Sequence, residues 1–181
     1  VPSAEGEEKL LAIKGIGESI IYLVDKYEDT GTIYGDFIPL EGVDQNPVGV
    51  GCTYIDHLTH NVYTGNMEKW GKFYEDIFNF KQIRYFDIEG KLTGLLSKAM
   101  TSPCGKIRIP INEDHGEKGQ IAEFLNEYNG EGIQHIALGT TDIYNSVETM
   151  REMGTKFLTT PDTYYEKVDA RLPGHGEDVA R

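Results

Sequence analysis

One short pattern, Ile-x-His-aliphatic, occurs twice in this sequence, as Ile55-Asp56-His57-Leu58 and as Ile133-Gln134-His135-Ile136, with the histidines 78 residues apart. Each copy runs on into a stretch with helical periodicity. A repeat at this scale means one structural unit used twice, so equivalent residues in the two copies face the same place. Side chains alternate faces along a strand with period two, which puts His57 and His60 on opposite sides. Residues 57–60 (HLTH) are therefore not a chelating pair, and the repeat selects His57 as the counterpart of His135.

The rest of the pattern follows the repeat. Residues 53–62 predict a strand leading into a helix from near Asn66, where Trp70, Phe73, Tyr74, Ile77 and Phe78 form an apolar stripe at helical spacing that reads as core packing. Three strands are expected at 82–88, 92–100 and 106–111, separated by hairpin-turn residues at 89–90 and 102–105. Together these make a β-α-β-β-β module over about 53–112. A linking helix is expected at 120–128, stopped by Asn129-Gly130, then a strand at 132–138 and a helix at 143–153 with Asp142 as N-cap. Before the module, residues 1–8 are polar, residues 19–25 predict a strand paired with 32–39, and the Gly- and Pro-containing residues 40–52 read as a connector. The organisation is thus 1–45 as the end of a preceding domain with its connector and 46–181 as a second domain. Within the latter, the linker helix spans 119–129 and a partial second module 132–181. The fold class is α+β, and both chain ends read as cut from something longer.

Thirty acidic against seventeen basic residues give a net charge of -13, which repels phosphate backbones and argues against nucleic acid or an anionic membrane as partner. No apolar run approaches the ~18–20 residues of a membrane span, and no secretory leader opens the chain, so a cytoplasmic location is expected. Cys52 and Cys104 match neither a disulfide framework nor a zinc-ligand spacing and are expected as two reduced thiols.

A lone strand histidine is usually a half-buried, hydrogen-bonded residue, and His60, His115 and His175 are read that way. The duplicated context changes the reading for His57 and His135. Two imidazoles presented by pseudo-symmetric strands suit a borderline divalent metal, and one added carboxylate gives the facial triad that leaves positions open for substrate and oxygen on iron(II).

Several longer segments carry a resemblance: residues 54–62 (YIDHLTHNV), 96–100 (LSKAM), 107–113 (IRIPINE), 119–120 (GQ), 130–137 (GEGIQHIA) and 161–165 (PDTYY). From about residue 10 onward the chain resembles the bacterial form of the 4-hydroxyphenylpyruvate dioxygenase family, within the vicinal oxygen chelate superfamily. The resemblance implies repeated β-α-β-β-β modules of glyoxalase-like fold, truncated here, whose last two modules form an open barrel-like sheet around Fe(II). It implies His57 and His135 as metal ligands and a glutamate as the third, on a strand beyond Arg181. Glu166 and Glu177 lie too early in the module for that role. It further implies Ser97, Pro110, Asn112 and Gln120 as substrate-binding residues, with Ser97, Asn112 and Gln120 near the substrate's phenol. Gln134 beside the second ligand belongs to the same set, although strict alternation turns it away from His135.

The activity implied is oxidative decarboxylation of 4-hydroxyphenylpyruvate with O2, then ring hydroxylation and side-chain migration, giving homogentisate and CO2 in tyrosine and phenylalanine catabolism. The substrate's own 2-oxo acid serves as chelate, so no 2-oxoglutarate is needed. A homo-oligomer is expected, and the chain by itself is expected to be inactive. Two rivals stand beside this reading: a hydroxymandelate synthase, which hydroxylates the benzylic carbon, and a non-catalytic binding module of the same fold.

Overall fold

The computed structural model describes residues 10–27, 29, 31–35, 37–89, 94–114 and 119–176. The chain enters through an antiparallel hairpin of β1 (Leu11–Lys14) and β2 (Ile20–Leu23), with Leu11 opposite Leu23 and Lys14 opposite Ile20. The expected pairing of 19–25 with 32–39 is therefore corrected. A tight turn at Gly15 to Ser19, with Gly17 in the left-handed region at φ 61°, folds the chain back onto 11–14. Among the described residues, 32–39 hold turns and no strand. Residues 1–8 lie outside the described residues.

The central sheet has five strands: β3 (Cys52–Asn61), β4 (Lys81–Glu89), β5 (Gly94–Thr101), β6 (Arg108–Asp114) and β7 (Gly132–Thr140). Their spatial order is β4-β5-β6-β3-β7. Helix α1 (Asn66–Phe78) follows β3, and the β4-β5-β6 meander returns the chain so that β6 lies parallel to β3, completing the β-α-β-β-β unit. Helix α2 (Gln120–Tyr128), closed by left-handed Asn129, then delivers β7 antiparallel to β3. The first strands of the two copies are thus neighbours, which brings the repeated histidines together.

One face of the sheet carries the core. Val62, Met67, Tyr74, Phe80, Met100, Ile109 and Ile111 are buried there with Ile16, and Trp70, Phe73 and Phe78 pack against them. The expected helical stripe is corrected at one position: Ile77 is 52% exposed, while Met67 and Gly71 are buried. Beside the buried Gly71 lies Lys98 of β5. It is buried, its stem lies against α1 so that a Cβ on Gly71 would stand 3.1 Å from Lys98 Cδ, and its Nζ reaches Glu68 at 2.5 Å. The buried face therefore follows Met67, Gly71, Tyr74 and Phe78.

The N-terminus of α1 has no side-chain cap of its own, since Gly65 occupies that position at φ 86°. Two glutamates from elsewhere supply acceptors for the unpaired N–H groups. Glu113 on β6 accepts from Gly65 N and Met67 N, and Glu131 accepts from Tyr63 N, Asn66 Nδ2 and Trp70 Nε1. Both carboxylates sit at the positive end of the helix dipole. Pro110, inside β6, is tolerated because β3 pairs with β6 only from Ile111 onward.

The described residues from Asp142 to Gly176 belong to a second compact unit. It contains α3 (Ile143–Glu152), α4 (Asp162–Tyr165) and α5 (Val168–Arg171). Asp142 caps α3 as expected, accepting from Asn145 N at 3.0 Å. His175 pairs with Asp169 at 2.8 Å. Cys52 and Cys104 are free and exposed. Among the described residues no helix is long and apolar enough to cross a membrane.

Candidate metal centre

The pairing of β3 with β7 is interrupted where the site lies. Ile55 stands opposite Leu138 but His57 opposite Ala137, which leaves Asp56 as an additional residue on β3. Thr59 stands opposite His135 but His60 opposite Ile133, which leaves Gln134 as an additional residue on β7. Cross-strand partners share a face, so His57, Thr59, His135 and Ala137 lie on one side of the sheet, away from α1. His60 falls on the other side, as the period-two reading requires. It is buried, lines an apolar cavity of about 330 Å³ with Leu58, Tyr74 and Phe80, and hydrogen-bonds through Nδ1 with Leu58 O. Burial holds its pKa below the ordinary value, opposed by that backbone contact.

The two repeat histidines meet Nε2 to Nε2 at 3.3 Å, with ring centroids 5.4 Å apart and planes at 76°. Each Nδ1 has its own acceptor. His57 Nδ1 donates to Asp56 Oδ2 at 2.7 Å, and Arg108 Nη1 donates to Asp56 Oδ1. His135 Nδ1 donates to Gln134 Oε1. The alternation argument against Gln134 is thus overturned by the bulge, which re-aims the additional residue toward its neighbour. The hydrogen bond from His57, assisted by the charges of Arg108 and His57, holds the Asp56 carboxyl below the usual carboxylate range against its desolvation. Burial, followed by the nearby His57, lowers the pKa of His135.

This arrangement fits a metal ion. When each Nδ1 donates to its own acceptor, each ring turns the lone pair of its Nε2 toward the same point, an arrangement that a cation between them stabilises. Two imidazole nitrogens at about 2.1 Å from one small metal, at right angles, stand roughly 3 Å apart. Among the described residues no third His, Cys, Asp or Glu completes a metal-binding group. Glu166 is an exposed residue just beyond α4, while His115 and Glu177 lie outside the described residues.

The expected substrate residues sort by register. Phe86, Ser97 and Asn112 stand side by side across β4, β5 and β6, and Asn112 pairs with Asn61 on β3. Asn61 shares the face of His57, so this row and the histidines occupy one surface; at ~3.3 Å per residue along β3 the row lies about 13 Å from His57 and about 7 Å from the level of His135, which stands opposite Thr59. Asn112 Nδ2 donates to Asn61 Oδ1 at 3.4 Å. Pro110, opposite Ala99, lies between the row and Arg108. Gln120 opens α2 as an exposed residue. Asn61, Asp56, Arg108 and Phe86 were absent from the expected set. Asn61 could have been found from its even spacing to His57, whereas the others depend on a bulge or on strand register.

The fold and this paired-histidine face define the class: the chain belongs to the Glyoxalase/Bleomycin resistance protein/Dioxygenase superfamily, whose pattern it matches over residues 54–168. It is 61% identical over 174 residues to 4-hydroxyphenylpyruvate dioxygenase of Pseudomonas aeruginosa, covering 96% of this chain and 49% of that protein. It is 58% identical over 177 residues to Hemolysin VllY of Vibrio vulnificus, covering 97% of this chain and 50% of that protein. The chain spans about half the length of the curated relatives it matches. In fold it is similar to a mutant 4-hydroxymandelate synthase from Streptomyces coelicolor, with TM-score 0.69 and 23% identity over 86% of this chain and 46% of that one.

Proposed function

We propose that the protein carrying this chain is a non-haem iron(II) dioxygenase that converts 4-hydroxyphenylpyruvate and O2 to homogentisate and CO2, a step of tyrosine and phenylalanine breakdown. The observation that carries the proposal is the convergence of His57 and His135 at Nε2 across a duplicated strand pair. The name of the Pseudomonas aeruginosa relative supports the substrate. In this reading His57 and His135 hold the iron, and a glutamate from the part of the relatives' length outside this chain completes the triad. When bound, iron(II) supplies the activation of dioxygen, which no amino-acid side chain provides.

The chain's own residues bind and orient. The 2-oxo acid end of the substrate is directed at the histidines, and its ring lies along the sheet face toward Phe86, with Pro110 and Ala99 beneath it. Ser97, Asn112 and Asn61 offer donors and acceptors to the phenol, and Gln120 contributes from the start of α2. Gln134 has the further task of holding His135.

In the complete natural protein, His57→Ala or His135→Ala abolishes iron-dependent homogentisate formation while circular dichroism stays native. Normal turnover by either variant overturns the assignment. Formation of 4-hydroxymandelate by the unmodified protein moves the assignment to benzylic hydroxylation.

A further inference from the structure

The two histidines are held by different chemistry. Asp56 and Gln134 occupy equivalent bulge positions, each one residue before a histidine and each accepting from that histidine's Nδ1. One acceptor is a carboxylate and the other a neutral amide. The carboxylate also has a second partner: Arg108, four residues before Asn112 on β6, reaches across to the Asp56 oxygen that His57 does not use. Asp56 is only partly exposed, with 34% of its side chain accessible, so its two contacts fix its direction better than a free surface carboxylate. Which nitrogen of a histidine carries the proton is set by the bond the other nitrogen makes.

We infer that Asp56, anchored by Arg108, is a positioning residue that locks His57 with Nδ1 protonated and Nε2 bare toward His135, and that this lock sets the affinity of the site for iron(II). The inference rests on the metal reading above for its consequence, but the lock itself is a property of the metal-free protein. Arg108 balances the carboxylate's charge, so the imidazole is oriented without adding a net negative charge beside an anionic 2-oxo acid. Partners of this kind change metal affinity by about 10- to 100-fold when removed.

The test uses the complete natural protein with 15N-labelled histidine, measured metal-free at pH 8. In the unmodified protein the His57 resonances report protonated Nδ1 and bare Nε2. In Asp56→Ala the proton population shifts toward Nε2, and the dissociation constant for iron(II), titrated anaerobically against a competing chelator, rises about 10- to 100-fold. Asp56→Asn, whose amide oxygen still accepts, falls between the two and serves if the alanine variant misfolds. Arg108→Met weakens iron binding in the same direction by less than Asp56→Ala. An unmodified protein with His57 protonated at Nε2 overturns the inference, as does an aspartate variant with unchanged tautomer or unchanged affinity. Arg108→Met binding iron as the unmodified protein does overturns the anchoring role. If the unmodified protein binds no iron at all, the metal reading fails, and the tautomer result still decides whether Asp56 locks His57.

Discussion

Asp56 and Gln134 are counterparts across the repeat: each is the additional residue of a bulge directly before a histidine, and each turns its side-chain oxygen to that histidine's Nδ1. A regular strand would aim the two residues at opposite faces. The bulge gives up a ladder position and in exchange lets one dipeptide supply both a ring and the group that orients it. Repeated on paired antiparallel strands, that dipeptide makes a two-nitrogen site from two copies of one short motif.

The buried Glu131 is the first place where this framework can be tested. Its carboxylate takes three donors, two from Tyr63 N and Asn66 Nδ2 and one from Trp70 Nε1, and so ties the entry of α1 to the segment leading into β7. Hydrogen bonds to a buried charged group contribute about 1.5–3 kcal/mol, and Glu131→Gln should lower unfolding free energy by about that amount. Urea denaturation of the complete protein would show a lower midpoint with an unchanged slope. Glu123→Gln, at an exposed position on α2, should change stability by less than ~0.5 kcal/mol.

Gly17 presses on the same segment from the other side. It is left-handed at φ 61°, and a Cβ there would stand 1.7 Å from the carbonyl oxygen of Glu131, a backbone atom that cannot swing away. Gly17→Ala should therefore destabilise by more than ~1 kcal/mol, since both the conformation and the space exclude a methyl group. Combined with Glu131→Gln, the loss should depart from the sum of the single losses, because both changes act on residue 131. Strict additivity in chemical denaturation would sink this coupling.

Much of this architecture is legible in residue pattern alone. Period-two and helical spacing place β3, α1, α2 and β7 within a residue or two, and the duplicated motif selects His57 over His60. What escapes is whatever depends on a neighbour. The β1 strand at Leu11–Lys14 is short and weakly patterned, so its pairing with Ile20–Leu23 is invisible until the turn at Gly17 is seen. The burial of Gly71 depends on Lys98, which lies 27 residues away on another element and takes the space beside it. Gln134 and Asp56 violate strand alternation through bulges, and no local residue type announces those. The capping of α1 by Glu113 and Glu131 is likewise long-range, with nothing at Gly65 to signal it.

His60 makes stability depend on pH. Burial lowers its pKa from the ordinary 6.5, so the folded protein resists a proton that the unfolded chain accepts. The unfolded state then binds more protons, and stability rises with pH through this window. The contribution is fully present above about pH 6.5 and is lost as pH falls from there toward the lowered folded value. Tyr74, which lines the same cavity, stays neutral throughout because burial pushes it up to about 12. His60→Gln should flatten the dependence of the denaturation midpoint between pH 7.5 and 5.5 relative to the unmodified protein, and an unchanged slope would refute the assignment to His60.

Asn61 tests whether the row on the histidine face reads the phenol of the proposed substrate. It is buried, shares the face of His57, and accepts from Asn112 Nδ2, so a ring hydroxyl entering the row would find its polar partners already aligned. Removing one such partner costs about 1–1.5 kcal/mol, or roughly tenfold. In the complete protein Asn61→Leu should raise KM for 4-hydroxyphenylpyruvate about tenfold while iron affinity stays unchanged. The same variant should leave binding of phenylpyruvate, which lacks the hydroxyl, nearly unaltered, because nothing is then lost at the row. An equal loss for both compounds would mean that Asn61 supports the sheet and does not recognise the phenol.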